Sequence, residues 1–242
     1  MGILGGIAGF FTALLSYGIR QFTRTFIEQK RYLLFIEGLR NTLFISAAAA
    51  LIGVVIGVLV ATVKVYYRQT GRFRLLDRLF AAYVALIRGT PMAVQLLIMA
   101  YIVIPSNNYV MIACIAFGLN SGAYVSEVIR AGIGAVDSGQ MEAALSLGLP
   151  RSIAMRRVIL PQAVKNILPA LCNEFIAIIK ETSIVGLIAI VDLTRASDIV
   201  RSRTAEAYFP LLSIALVYFL LVAGLARLTG LLEKRLARGD RS

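Results

Sequence analysis

The stretch MEAALSLGLPRSIAMRRVILPQA, Met141 to Ala163, carries three arginines, two prolines and a glycine between runs that are almost wholly apolar. Its first part, Met141–Leu147, is made of helix formers, with Ala143 and Ala144 side by side. Gly148 suits the stop of that helix, where a positive φ is needed. Pro150 prevents the helix from continuing unbroken. A second short helix is expected over Arg151–Leu160, with Pro161 as the next break. The whole connection, about residues 131–165, is long for a plain joint between helices. Its composition makes a rigid elbow, not a loose tether. Such an elbow either docks into a groove of a partner and passes movement to the helices beside it, or merely connects them. The residues alone leave both readings open.

What surrounds the elbow sets its solvent. The chain has 242 residues, 59% of them hydrophobic, and a mean hydropathy of +0.80. That exceeds what one soluble core can hide, so lipid is the expected solvent. The net charge of +12 would also fit nucleic acid, but the cations sit at the ends of apolar runs, as membrane topology demands. There is no histidine, and the two cysteines, Cys114 and Cys172, lie inside apolar runs as small buried hydrophobes. No metal site, cofactor or histidine-based catalytic set is expected.

Spans of about 20 apolar residues are read at 41–63, 79–104, 109–129, 166–190 and 208–231. Lys64, Arg68, Arg72, Arg74 and Arg78 crowd the first connection; Arg151, Arg156 and Arg157 lie in the elbow; Lys234, Arg235, Arg238 and Arg241 lie in the tail. Basic connections stay cytoplasmic, so the elbow and the C-terminus are expected inside. The loop around IPSNN (104–108) and the segment Asp192–Glu206 are expected outside, and the first span begins outside. The fold class is therefore an all-α integral membrane protein of five transmembrane helices. The apolar run at 3–19 is short, and basic residues follow it from Arg20 to Arg31, so it reads as an interfacial helix. It does not read as a signal peptide, which carries its charge before the apolar run. The expected organisation is an N-terminal segment 1–36, a membrane domain 37–238 and a tail 239–242.

The pattern Glu142-Ala143-Ala144, three residues, Gly148, then Leu160-Pro161 resembles the coupling motif of ABC importer permeases. Val158 stands where that motif most often has isoleucine. More narrowly, the chain resembles permeases for polar amino acids of the histidine, glutamine and arginine type. That resemblance rests on GLRNTL (38–43), RGTPMAVQLL (88–97), NSGAYVSEVIRAGIGAVDSGQMEAA (120–144), PQAVKNILPALCNEF (161–175) and KETS (180–183). It implies a type I importer fold in a prokaryotic inner membrane. It also implies a separate ATPase docked on Glu142, Ala143, Ala144, Gly148, Leu160 and Pro161, and an extracytoplasmic binding protein. A second permease subunit, identical or not, completes the pathway. No G-x-x-x-x-G-K-[ST] phosphate loop occurs in the chain, which fits ATP hydrolysis in another polypeptide. The competing class is an ion-gradient carrier or a non-transporting anchor, but no inverted repeat of the carrier kind is found.

Ionisable groups inside spans need a reason, because each costs at least about 2.5 kcal/mol on insertion scales. Glu174 and Glu181 are seven residues apart and share one stripe of a helix; Asn173 and Lys180 share the next. Asn120 and Tyr124 make a second polar seam on the third span. Asn120, Tyr124, Asn173, Glu174, Glu181 and Ser183 are thus the candidate substrate contacts, and a carboxylate-rich chamber would favour basic amino acids. Arg88 before Gly89-Thr90-Pro91 reads as structural, bonded to freed carbonyls or to a carboxylate. Pro91, Glu127 and Lys180 are also read as structural. Gly53 and Gly57 make a small-xxx-small pair that either packs helices or occurs by chance.

Overall fold

In the computed structural model, which describes residues 3–238, helices joined by short turns make up the chain, and no strand occurs among those residues. The expected tail at 239–242, Arg241 included, lies outside the described residues. Helix α1 (Ile3–Phe22) runs three residues past the apolar stretch and takes in Arg20. A joint at 23–31 turns the chain into α2: Gln29 and Lys30 adopt positive φ (53° and 55°). The buried Arg31 guanidinium ties this joint, donating to the Arg24 carbonyl and to Gln29 Oε1 and pairing with Glu28.

Helix α2 (Tyr32–Thr70) is 39 residues long, so the expected span 41–63 is only its middle. It stops at Gly71, whose φ of 69° lets its N–H close on the Tyr67 carbonyl at 2.8 Å. Its main partner is α5 (Tyr109–Gly134), and the seam between them is made by glycines on both sides. A Cβ at Gly53 would stand 2.5 Å from Ser121 Oγ, and one at Gly57 would overlap Val125. In return, a Cβ at Gly118 would meet Ile52 at 2.6 Å and one at Gly122 would meet Ile56 at 2.7 Å. The pair at 53 and 57 is therefore a packing device, matched by a second pair on the facing helix. Below and above it pack Ile45, Ala49, Ile112, Ala113 and Phe117, all but excluded from solvent.

Between α2 and α5 the chain forms α3 (Arg74–Gly89) and α4 (Met92–Ile98), the latter extended by a π turn over Met99–Val103. The expected continuous span 79–104 is bent by 110°. The cause is local. Pro91 lacks an N–H and forces Thr90 into an extended conformation (φ −121°, ψ 145°). Gln95 then braces the corner, its Nε2 donating to the carbonyls of Ile87 (2.7 Å) and Thr90 (3.0 Å) and to Thr90 Oγ1 (2.9 Å).

The elbow comprises α6 (Ser138–Ser146), capped by Asp137 through the Gly139 N–H, and α7 (Arg151–Ala154). Gly148 has the positive φ expected of it, 80°. Pro161 is not a break. The chain passes from α7 through a π turn at Met155–Ile159 straight into α8 (Leu160–Glu181). Pro161 sits in the first turn of α8, where a missing N–H costs least, and Gln162 Nε2 donates to the Val158 carbonyl at 3.1 Å. The expected fourth span, 166–190, stays α-helical only to Glu181 and tightens into a 3-10 turn over Thr182–Ile188.

Helix α9 (Leu193–Thr204) is capped by the buried Asp192, which accepts the N–H groups of Thr194 (2.9 Å) and Arg195 (3.1 Å). The GLRNTL stretch of α2 holds this corner. A Cβ at Gly38 would stand 2.6 Å from the Asp192 backbone, and Asn41 Nδ2 donates to the Val191 carbonyl at 2.8 Å. Helix α10 (Tyr208–Arg238) closes the chain. Among the described residues, three helices, α2, α5 and α10, are long and apolar enough to cross a membrane, and the bent α3–α4 pair makes a fourth if counted as one span.

Candidate functional site

Two polar centres lie where α2, the bent pair, α5 and α8 meet. The first is built around Glu127 on α5. Its carboxylate lies 2.7 Å from Arg130 Nη2, 3.7 Å from Lys64 Nζ on α2 and 3.9 Å from Arg88 Nη1 on α3. One carboxylate thus ties three helices, and Arg88 finds a carboxylate and not the freed carbonyls, which Gln95 takes. The Arg88 guanidinium also lies 5.4 Å from the centroid of the Tyr124 ring, in cation–π contact. Three cations around one anion leave this centre with a surplus of positive charge.

The second centre is carried by α8. Glu174 lies beside Ser121 of α5, and Ser121 has its place because α2 presents Gly53 there. Glu181 is on the same stripe, about 10 Å further along the helix. Glu174 is half-buried and Glu181 exposed. Asn120, buried on α5, donates its Nδ2 to Gln95 Oε1 at 3.0 Å. It therefore links the bent pair to α5 and has its amide nitrogen already engaged.

The expected seam divides in two. Lys180 and Ser183 do not face Glu174. They line a cavity of about 290 Å³ with Thr194 of α9 and Leu211, Ile214, Ala215 and Tyr218 of α10, on the other side of α8. Ser183 falls inside the 3-10 turn that follows α8. Asn173 is exposed on α8. Glu127, Arg88 and Tyr124 come together as one group, while Glu174 and Glu181 form another.

Three participants escaped sequence reasoning. Gln95 is the brace of the corner, and its signal is a long amide four residues after a mid-span proline. Ser121 escaped because a serine in a helix gives no sign of what faces it. Lys64 escaped because it stands among the charges of a loop-like stretch, although α2 in fact continues past it.

The elbow supplies a different kind of site. Ala144 and Ala154 are buried, on helices that pack on each other and on the wide turn at 155–159, while Glu142, Ala143, Leu145, Leu147, Gly148 and Leu160 are exposed, Leu147 to 82%. An apolar side chain so exposed beside Leu145 and Ile153 makes a small apolar patch on a capped, stiff support.

Comparison with known proteins places this arrangement. Residues 53–238 match the family described as binding-protein-dependent transport system inner membrane component. The chain is 43% identical over 211 residues to the putative glutamine transport system permease protein of Rickettsia felis, covering 85% of this chain and 94% of that one. It is 38% identical over 210 residues to the arginine transport system permease protein of Bacillus subtilis, covering 85% and 93%. Among solved structures, a chain of an amino acid ABC transporter described with histidines is 42% identical, with a TM-score of 0.78 over 87% of this chain and 98% of that one. A methionine ABC transporter in an inward-facing conformation shares the fold, with a TM-score of 0.62 at 19% identity.

Proposed function

We propose, because this chain belongs to the family of binding-protein-dependent transport system inner membrane components, that it carries basic amino acids as one permease subunit of an ATP-driven importer. The family fixes the coarser statement: the chain is a permease subunit of an ABC amino acid importer, multi-pass in the bacterial inner membrane, and ATP is hydrolysed in separate subunits. The finer reading, which adds the substrate, the topology and the coupling, is ours.

The observation that carries the choice of substrate is the pairing of Glu174 and Glu181 on one stripe of α8 with no basic residue within ion-pair distance of either among the described residues. A half-buried carboxylate without a cation is costly, and a substrate bearing an ammonium or guanidinium removes that cost. The about 10 Å between the two stripe positions lets an α-amine and a cationic side chain be held together. Asn173 and Tyr124 are the neutral contacts in this reading. Asn120 and Gln95 set the distance between α5 and the bent pair.

In topology, α2, the bent pair, α5, α8 with its 3-10 extension, and α10 make five spans. The basic ends and the elbow face the cytoplasm, and the first span starts outside. Helix α8 fails the apolar criterion because it faces protein and substrate instead of lipid. Residues 37–238 form the permease unit, and α1 lies in the interface. Glu142, Ala143, Ala144, Gly148, Leu160 and Pro161 form the elbow that engages the ATPase. An external binding protein delivers substrate to the outer loops, and a second permease subunit completes the pathway. ATP-driven closure pushes the elbow, and since α8 continues from it without a break, the push reaches Glu174.

Glu174→Gln tests the substrate reading. With the whole transporter in proteoliposomes, the variant should lose about ten-fold or more of the preference for arginine or lysine over glutamine in competition for uptake. An unchanged preference would remove Glu174 from substrate recognition.

A further inference from the structure

An apolar groove of about 490 Å³ runs between α2, α5 and α8 on the elbow side of Glu174. Val54, Val58 and Val65 line it from α2, Ile133 from α5, and Val164 and Leu171 from α8, with Thr62 and Tyr66 supplying its few polar atoms. It begins at Val54 and Leu171, directly beside the Gly53–Ser121–Glu174 contact, and runs to Tyr66 on α2, Ile133 on α5, and Leu160 and Met155 on the α8 side. Along α2 that is about 18 Å, close to the about 15 Å depth of one leaflet's hydrocarbon.

Both walls change character at the same end. On α2 the lining stripe Ala61–Val65 is followed one turn later by Arg68. On the α8 side the lining residues Leu160 and Met155 bracket Arg156 and Arg157, and all three arginines are exposed. An apolar channel one leaflet deep, with exposed arginines on the helix segments at its elbow end, matches one class of molecule. We propose that the groove holds an acyl chain of an anionic phospholipid whose headgroup is bound by Arg68, Arg156 and Arg157. The inference rests on the membrane reading above, with the arginine end at the inner leaflet. The groove lies between the two helices joined by the elbow, so its occupant wedges α5 from α8 at the point where the stroke enters the membrane. Anionic lipid thereby becomes a regulator of transport.

The test uses the complete transporter in nanodiscs with a trace of phosphatidylglycerol or phosphatidylcholine carrying a diazirine in the acyl chain. After photolysis, labelled peptides are mapped by mass spectrometry. Phosphatidylglycerol should label residues 54–66 and 160–171, and phosphatidylcholine should label them weakly. Arg68→Gln, Arg156→Gln and Arg157→Gln should each lower that labelling about five-fold, and Leu168→Trp should lower it by filling the groove. Equal labelling by both lipids, labelling unaffected by the arginine variants, or disulfide trapping of Val164→Cys against a second permease copy would each overturn the proposal. Arginine-to-glutamine changes on an exposed rim leave the fold intact, and ATP-driven uptake measured in parallel separates a failed lipid site from a failed transport reading.

Discussion

The α2–α5 seam and the elbow use small and apolar residues in opposite ways. In the seam, Gly53, Gly57, Gly118 and Gly122 let two helices touch, and the packing around them is close: Val125 and Phe117 each keep 1% of their surface. In the elbow, Ala143 and Leu147 face outward and only Ala144 and Ala154 are enclosed. The seam is complete within the chain, whereas the elbow leaves Leu147 and its apolar neighbours exposed.

Three substitutions would break or sharpen this contrast. Gly122→Leu should do most damage, because a side chain there strikes Ile56 and the Tyr83 hydroxyl; overpacking of this kind costs about 3 kcal/mol. The expected result is a marked fall in Tm in detergent, measured by intrinsic fluorescence, and a resistant variant would mean that the seam is looser than described. Gln95→Leu should cost less, about 2 kcal/mol, by leaving the Ile87 and Thr90 carbonyls and the Asn120 amide without a partner. Here Tm should fall moderately, and Gln95→Glu should restore only the bond from Asn120. Leu147→Ser should hardly move stability, by less than about 0.5 kcal/mol, yet weaken retention of the ATPase during purification. If that variant instead melts early and keeps its ATPase, Leu147 packs on its own chain and the contrast fails.

Much of this was legible in the chain's order of residues, and the losses have physical causes. Apolar runs and basic flanks marked the long helices because bilayer thickness and charge placement act on local composition. Gly148 was legible because a positive φ is a property of one residue. The mates of Gly53 and Gly57 were not, since nothing near Gly118 and Gly122 indicates which helix faces them. Pro161 misled because a proline in the first turn of a helix need not end it. The Glu127 cluster was half legible: the spacing to Arg130 is local, while Lys64 and Arg88 arrive from other helices.

The wide turn at Met155–Ile159 acts as a phase shifter. One additional residue per turn offsets everything upstream by about 100° around the helix axis. Without it, α7 and its buried Ala154 would be turned by a quarter-turn or more about the axis of α8. The direction in which this lever points is thus encoded by a single surplus residue, and an insertion or deletion there would re-aim the lever while leaving every helix it joins intact.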